Sequence, residues 1–250
     1  MAKSRSYAGL SMFLLKIIAI LSMLACHILI VFEGKFPKNA ETFLFYFGRL
    51  AFPIFAFSVA NGWCRTRNRF LYTLRIFIMA IVSQIPFAVC LKGVEFTNIA
   101  RTFFSTNLNI GFTFLLACVC LTVYSLLRRI DFPIFIALIC AIIPAVCFEL
   151  LTPFHVDYGY RGVALILVMH AFVNDRSMMF LSAGGILAWM SSQISLAAIT
   201  VRTDIWLTYL VSLLLIMLYN GNRGARAKYM FYIFYPLHLI VLILLKMYVF

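Results

Sequence analysis

The chain has 250 residues, of which 64% are hydrophobic and 12% are charged, and its formal net charge is +13. Ordinary soluble domains carry about 25% charged residues, so this composition excludes them. The apolar runs are long and do not alternate with polar residues, which argues against a membrane β-barrel. We therefore predict an all-α fold: a polytopic transmembrane helical bundle that forms one domain over residues 1–250.

Apolar runs of helix length recur along the whole chain. Because a helix needs about 20 apolar residues to cross a bilayer, the sequence predicts about nine crossings. Eight or ten are the alternatives, since the sixth run is short and nothing marks where the fourth begins. In chain order the predicted helices are Ser11–Phe32, Thr42–Gly62, Leu71–Leu91, Asn107–Leu127, Phe132–Leu151, Gly159–Val173, Met178–Ile199, Ile205–Asn220 and Tyr229–Tyr248.

The basic residues are distributed unevenly between the predicted loops. With a cytoplasmic N-terminus, the inner loops collect Lys3, Arg5, Arg65, Arg67, Arg69, Arg128, Arg129, Arg176, Arg223, Arg226 and Lys228. An excess of Lys and Arg in short loops is typical of the cytoplasmic side. The positive charge therefore predicts membrane orientation, and we expect no nucleic-acid partner.

The cysteines follow no metal-binding or disulfide pattern. All seven lie in apolar segments or at their ends, and no CxxC pair occurs among them. Buried cysteines in such segments behave as small hydrophobic residues. We expect no bound metal.

Lys16 and His27 on the first predicted helix are the first candidate site residues. They are eleven positions apart, about three helical turns, so they face nearly the same direction. Lys16 is expected near the inner surface, where its side chain could simply reach the headgroups. His27 lies deeper and is a candidate general base. A helix–helix hydrogen bond is the alternative role for His27.

Arg49 is a second polar residue inside an apolar segment. It stays protonated, so a buried position requires an anion or a hydrogen-bonded oxygen beside it. Glu149 and Asp157 are the internal candidates, with a structural ion pair as the alternative to a catalytic role. Pro53 lacks a backbone N–H and is expected to kink the helix and free the carbonyl of Arg49.

Two further sets of residues complete the candidate site. His238 lies after Pro236 in the last predicted helix and is a possible second active-site group, while Asn109 could line a polar cavity or cap its helix. The arginines around the second inner loop suit phosphate groups, although membrane topology and contact with lipid headgroups are the simpler explanation. This arginine cluster consists of Arg65, Arg67, Arg69 and Arg75.

Taken together, these motifs resemble the TraX family. The resemblance lies in the order of first-helix His27, then Gly48-Arg49-x-Ala51-Phe52-Pro53-x-Phe55-Ala56, Thr66-Arg67-Asn68-Arg69, Ile85-Pro86-Phe87, Tyr158-Gly159-x-x-Gly162 and Phe234-Tyr235-Pro236-Leu237-His238-Leu239. It extends from the first predicted helix to the last. TraX proteins are membrane acetyltransferases named for acetylation of a pilin N-terminus, and they resemble the integral-membrane acyltransferases that O-acetylate glycans. The larger group has an arginine where this chain has Lys16.

The chain departs from the family pattern at two carboxylates. Cys26 stands where the family often has an aspartate before the histidine, and Gln84 stands in place of a glutamate. Neighbours on a helix point about 100° apart, so Cys26 cannot take the place of a partner beside the imidazole. Asp157 or Glu149 from another helix is the expected substitute.

The resemblance implies a reaction and a location. It implies a multi-pass protein of the bacterial cytoplasmic membrane that takes acetyl groups from cytoplasmic acetyl-CoA. Arg65, Arg67, Arg69, Arg75 and Lys16 would hold the coenzyme. His27 would deprotonate an amine or hydroxyl of a protein or glycan acceptor arriving from outside. Arg49, with Asn109, would stabilise the oxyanion, and His238 could relay the acetyl group.

A transporter or flippase without covalent chemistry is the competing interpretation. Scattered ionisable residues and prolines inside apolar helices, here Arg49, Asp157 and the histidines, also line ion and anion paths in transporters. Binding of acetyl-CoA distinguishes the two classes.

Overall fold

The computed structural model describes residues 9–95, 98–104, 107–194, 199–225 and 228–249. Lys3, Arg5 and Arg226, which contributed to the predicted orientation, lie outside these ranges. The described elements, in chain order, are α1 Met12–Val31, α2 Lys38–Arg49, α3 Ala51–Arg65, α4 Arg69–Lys92, α5 Ile99–Phe104, α6 Ile110–Arg129, α7 Ile134–Leu151, α8 Gly159–Ala171, α9 Arg176–Ser191, β1 Ser192–Ile194, β2 Ile199–Val201, α10 Thr203–Met217 and α11 Lys228–Val249.

Polar side chains set the starts of several helices. Ser11 accepts a hydrogen bond from the Leu14 N–H at 3.3 Å, and Asn68 accepts one from the Leu71 N–H at 2.9 Å. Asp175 does the same at the start of α9. Each cap satisfies one of the backbone donors that the first turn leaves free.

Several helices have the length and apolarity of membrane spans. Within the described ranges, α1, α2 together with α3, α4, α6, α7 and α11 make six such segments, and α8 and α10 are shorter apolar helices. Large apolar side chains of α7, including Phe135, Ile139 and Ile143, are exposed on the outside of the bundle. Exposed apolar side chains are compatible with hydrocarbon around the bundle. The chain is thus a multi-pass helical membrane protein, while the predicted count of nine crossings is not confirmed.

The second predicted helix is broken. The expected single helix Thr42–Gly62 is α2 followed by α3, with Leu50 between them. The Leu50 N–H bonds to the Phe47 carbonyl in a tight turn at 3.2 Å. Pro53 has no N–H to offer the Arg49 carbonyl, so the ladder of helical hydrogen bonds is interrupted at this point.

The seventh predicted helix ends early. We expected Met178–Ile199, but α9 ends at Ser191, and β1 and β2 follow as an antiparallel pair with Gln193 opposite Thr200. Residues 195–198 lie outside the described residues. Apolar content alone did not distinguish this short hairpin from helix, because short apolar runs are ambiguous. The short helix α5 was also not predicted.

Helix α8 lies at the centre of the bundle. It packs against α3, α6, α7 and α9, while α1 packs on α2 and α3, and α11 packs on α4. Two glycines allow close approach between helices: a Cβ on Gly48 would lie 2.7 Å from the Cβ of Cys26, and a Cβ on Gly111 would lie 2.8 Å from the Cα of Ala80. This packing brings α1, α3, α4 and α11 around one interior cavity.

Candidate active site

The interior cavity has a volume of about 170 Å³ and is lined by residues from α1, α3, α4, α6 and α11. On α1 both Lys16 and His27 line it, as their eleven-residue spacing predicted. That spacing corresponds to about 16 Å along the helix axis. The cavity therefore extends from the level of Lys16, which lies over Phe231, to the level of His27, where Asp157 interacts electrostatically with the neighbouring Cys26.

His27 and His238 form a hydrogen-bonded pair. The Nδ1 atom of His27 lies 2.7 Å from the Nε2 atom of His238, and the two rings are nearly parallel with their centroids 5.0 Å apart. The Nδ1 atom of His238 lies 2.9 Å from the Phe234 carbonyl oxygen. The side chain of His238 is 5% exposed and does not line the cavity that His27 lines.

These contacts determine the tautomer of each neutral ring. A carbonyl oxygen only accepts hydrogen bonds, so His238 carries its hydrogen on Nδ1 and its Nε2 accepts. His27 must then donate from Nδ1 to His238, which leaves the lone pair of His27 on Nε2. His238 thus prepares His27 as a hydrogen-bond acceptor and base.

The expected carboxylate partner of His27 is replaced by a histidine. Glu149, one of the two predicted partners, accepts a hydrogen bond from the Tyr160 N–H at 2.8 Å and so caps the start of α8. Asp157 lines the cavity but makes no hydrogen bond to His27 in the described part of the chain. The prediction of a carboxylate beside the imidazole was therefore wrong for Glu149, and His238 occupies that position.

Arg49 ends α2 close to the cavity without lining it. Its guanidinium lies over the ring of Phe45, with the Cζ atom 4.6 Å from the ring centroid. The Nε atom is buried and has no hydrogen-bond partner among the described atoms. Arg49 also acts electrostatically on Asp157 and Cys26. A buried donor without a partner is costly, which makes this atom a candidate for contact with a ligand.

Asp157 provides the negative charge at the His27 end of the cavity. It belongs to the loop between α7 and α8, and no described cation lies within 4 Å of its carboxylate. Burial raises the pKa of Asp157 above its ordinary value, although the positive charges of Lys92 and Arg49 oppose this shift. A carboxylate that lines a cavity without an ion-pair partner can receive a cationic group.

Asn109 has a structural position. Its amide nitrogen donates to the Ala80 carbonyl at 2.8 Å and to the Gln84 Oε1 atom at 2.9 Å, and its Oδ1 atom caps α6 at Gly111. Both amide hydrogens are thus occupied, so Asn109 has no donor left for an oxyanion. Asn109 is therefore a helix cap, which was the alternative to the cavity role predicted from the sequence.

Gln84 explains one departure from the family pattern. Its amide nitrogen donates to the carbonyls of Phe103 and Asn107 at 3.3 and 3.2 Å, and its Oε1 atom accepts from the Asn109 N–H. A glutamate could not donate to two carbonyls. Gln84 therefore links α4 to the segment before α6 and does not line the cavity.

Two of the predicted coenzyme-binding cations lie at or close to the cavity. Lys16 lies over the ring of Phe231, 4.8 Å from its centroid, and Arg75 acts electrostatically on the cavity residue Tyr232. Arg67 lies in the exposed loop between α3 and α4.

Two members of the arginine cluster have structural contacts as well. The Nε atom of Arg65 donates to the Asn61 Oδ1 atom at 3.1 Å. The Arg69 guanidinium lies over the Trp63 ring, 5.0 Å from its centroid. Arg67 and Arg75 are therefore the members of the cluster that these contacts leave available for a ligand.

Sequence reasoning missed the pairing of the two histidines and the aromatic wall of the cavity. His27 and His238 had been assigned separate roles, because no local pattern relates positions 211 residues apart. Tyr158 and Tyr235 line the cavity near His27, and Tyr158 stacks on Phe52 with ring centroids 3.6 Å apart. Both tyrosines belong to motifs by which the sequence resembles the family, and those motifs were the feature of the sequence from which this wall could have been predicted.

Comparison with known proteins agrees with the architecture. The chain is 28% identical over 245 residues to "Probable fimbrial assembly protein FimC, serogroup H1" of Dichelobacter nodosus, covering 95% of this chain and 96% of that protein. No solved structure matches the chain. The family model described as TraX protein matches residues 11–246. The match spans α1 to α11 and includes both histidines, and the chain belongs to the TraX family.

Proposed function

We propose that the protein is a membrane-embedded acetyltransferase that moves an acetyl group from cytoplasmic acetyl-CoA to an amine or hydroxyl acceptor at the outer side of the bacterial cytoplasmic membrane. The observation that carries the proposal is the His27–His238 pair, which leaves the Nε2 lone pair of a cavity-lining imidazole free to accept a proton. A pilin-related acceptor is favoured by the family and by the similarity to a fimbrial assembly protein.

The donor would approach from the end of the cavity that carries Lys16. Acetyl-CoA bears phosphates on its nucleotide, and guanidinium groups bind phosphates in bidentate fashion. Arg67 and Arg75 would hold these phosphates with Lys16 at the cavity entrance. The cavity then offers about 16 Å of passage between Lys16 and His27 for the extended thioester arm.

The chemical step is a direct transfer. His27 Nε2 removes a proton from the acceptor while the acceptor nitrogen or oxygen attacks the thioester carbonyl. The His27 imidazolium is then stabilised by its Nδ1–H···Nε2 bond to His238. When the carbon–sulfur bond breaks, the departing thiolate takes up the proton from His27. Atoms and charge balance without a further reactant.

Charged groups near His27 would assist this step. Arg49 lies behind the cavity wall, and its positive charge would stabilise the developing oxyanion from there. Where the acceptor is an amine, Asp157 would attract its ammonium form and take up one proton from it, so that the neutral amine that attacks the thioester lies beside His27. Asp157 then releases this proton to water after the transfer. The relay through an acetylated His238 is disfavoured, because both of its ring nitrogens are engaged in hydrogen bonds.

Coenzyme binding tests the proposal against a transporter. We expect acetyl-CoA to raise the melting temperature of the purified protein, and Arg67→Ala combined with Arg75→Ala to reduce this increase. Arg129→Ala is the matched control, because Arg129 is an exposed arginine at the end of α6 and lies outside the cluster. If no acyl-CoA stabilises the protein, the transporter interpretation is favoured.

A further inference from the structure

A second cavity lies on the other side of the histidine pair, between α1 and α11. Its volume is about 560 Å³, and we name it the α1–α11 groove. All of its lining residues except His238 are apolar: Leu24, Ile28, Phe32, Phe36, Phe234, Leu237, His238, Val241, Leu242 and Leu245. The His27–His238 bond therefore separates the interior cavity, which contains Lys16 and Asp157, from an apolar groove on two candidate membrane spans.

The length and lining of the groove fit a hydrocarbon chain. From Phe234 to Leu245 the groove follows α11 for about 16 Å, since each helical residue rises about 1.5 Å. Nine of its ten lining residues are apolar, and α1 and α11 are both candidate membrane spans. A lipid acyl chain that lies along the groove therefore meets apolar side chains over its whole length and needs no polar partner.

Charges mark one end of the groove. Helices α1 and α11 run parallel, because Lys16 lies against Phe231 and His27 lies against His238 further along both helices. Phe36 and Leu245 therefore mark the same end of the groove. Lys35 and Lys246, their sequence neighbours, are both exposed. Lysines at a membrane interface attract anionic headgroups.

We propose that the α1–α11 groove is a binding site for an anionic phospholipid. One acyl chain lies along the groove past His238 toward Phe234, and the phosphate lies against Lys246. The bound chain covers the face of His238 opposite the interior cavity. It thereby excludes water from the hydrogen bond that orients His27, and hydrogen bonds are stronger where water is absent.

Lipid retention tests this site independently of acetyl transfer. The protein is reconstituted in nanodiscs of phosphatidylglycerol and phosphatidylcholine, released, and weighed by native mass spectrometry. We expect one retained phospholipid, enriched in phosphatidylglycerol. Val241→Trp fills the groove and should lower the retained fraction about tenfold, as expected when about two methylene groups lose their contacts. Leu237→Phe is a milder second variant that fills the same groove.

Ile240→Trp is the matched control, because Ile240 is 43% exposed and Val241 is 44% exposed, but only Val241 lines the groove. The control should retain the lipid. Lys246→Gln should abolish the preference for phosphatidylglycerol and leave a lipid bound. Equal loss in Val241→Trp and Ile240→Trp would overturn the proposal. So would retention of detergent or of a non-phospholipid molecule alone.

Discussion

The Nδ1 atom of His27 lies 2.7 Å from the Nε2 atom of His238, although the two residues are 211 positions apart in the chain. Because His238 also bonds to the Phe234 carbonyl, the pair has a defined direction of hydrogen bonding. His27 lines the cavity and has an acceptor nitrogen without a described partner. His238 does not line the cavity and orients His27 through the hydrogen bond between their rings. The first two predictions separate these two roles.

Replacing His27 should remove the base. We expect His27→Ala to lower the rate of acetyl transfer by about 10²- to 10⁴-fold, the usual contribution of a general base. Stabilisation by acetyl-CoA should persist, because the predicted coenzyme-binding residues lie at the other end of the cavity. Transfer of labelled acetyl groups and thermal melting measure the two effects. His155→Ala, in an exposed loop, is the control. An unchanged rate in His27→Ala would show that another residue is the general base.

Replacing His238 should change the rate of the chemical step without changing donor binding. His238→Phe removes the acceptor for the His27 Nδ1–H, and the loss of a hydrogen bond that selects the reactive tautomer should lower kcat about tenfold. The KM for acetyl-CoA should stay the same. His238→Gln should recover part of the rate, since its amide oxygen can accept from His27. The melting temperatures of both variants show whether they are folded. A folded His238→Phe variant with an unchanged kcat would contradict the positioning role.

The raised pKa of Asp157 predicts a pH-dependent stability. Because its pKa is higher in the folded than in the unfolded protein, the folded state binds more protons in the window between the two values. Stability must therefore fall as the pH rises through that window. Asp157→Asn should flatten this dependence and raise the melting temperature above the window. Thermal melting at a series of pH values measures both effects, and a profile identical to that of the wild type would contradict the assignment.

Gln84 should be far less tolerant of substitution than its neighbour. Gln84→Glu removes two donated hydrogen bonds from a fully buried side chain, and each such hydrogen bond contributes about 0.5–1.5 kcal/mol to stability. Ser83 is equally buried, but its Oγ atom has no described partner, so Ser83→Ala should be neutral or stabilising. Thermal melting of the two variants provides the comparison. Equal melting temperatures would show that the Gln84 bonds contribute little to stability.

Much of the candidate site was predictable from helical periodicity. Lys16 and His27 had to share a face of α1 because an eleven-residue spacing is about three turns, and the cavity does contain both. The break near Arg49 followed from the missing N–H of Pro53. Asn109 was ambiguous from sequence, because an asparagine before an apolar run serves equally well as a cap or as a cavity residue.

The sequence by itself determined that this is an apolar, multi-helical membrane protein, because composition and the length of the apolar runs carry that information. The order of its motifs along the chain resembles the TraX family. Only the tertiary structure decided that a histidine from α11, rather than Glu149, lies beside His27. It also decided that Gln84 joins two segments of backbone. The physical reason is that such partners are selected by how distant helices pack, and contacts across 211 positions leave no periodic trace along the chain.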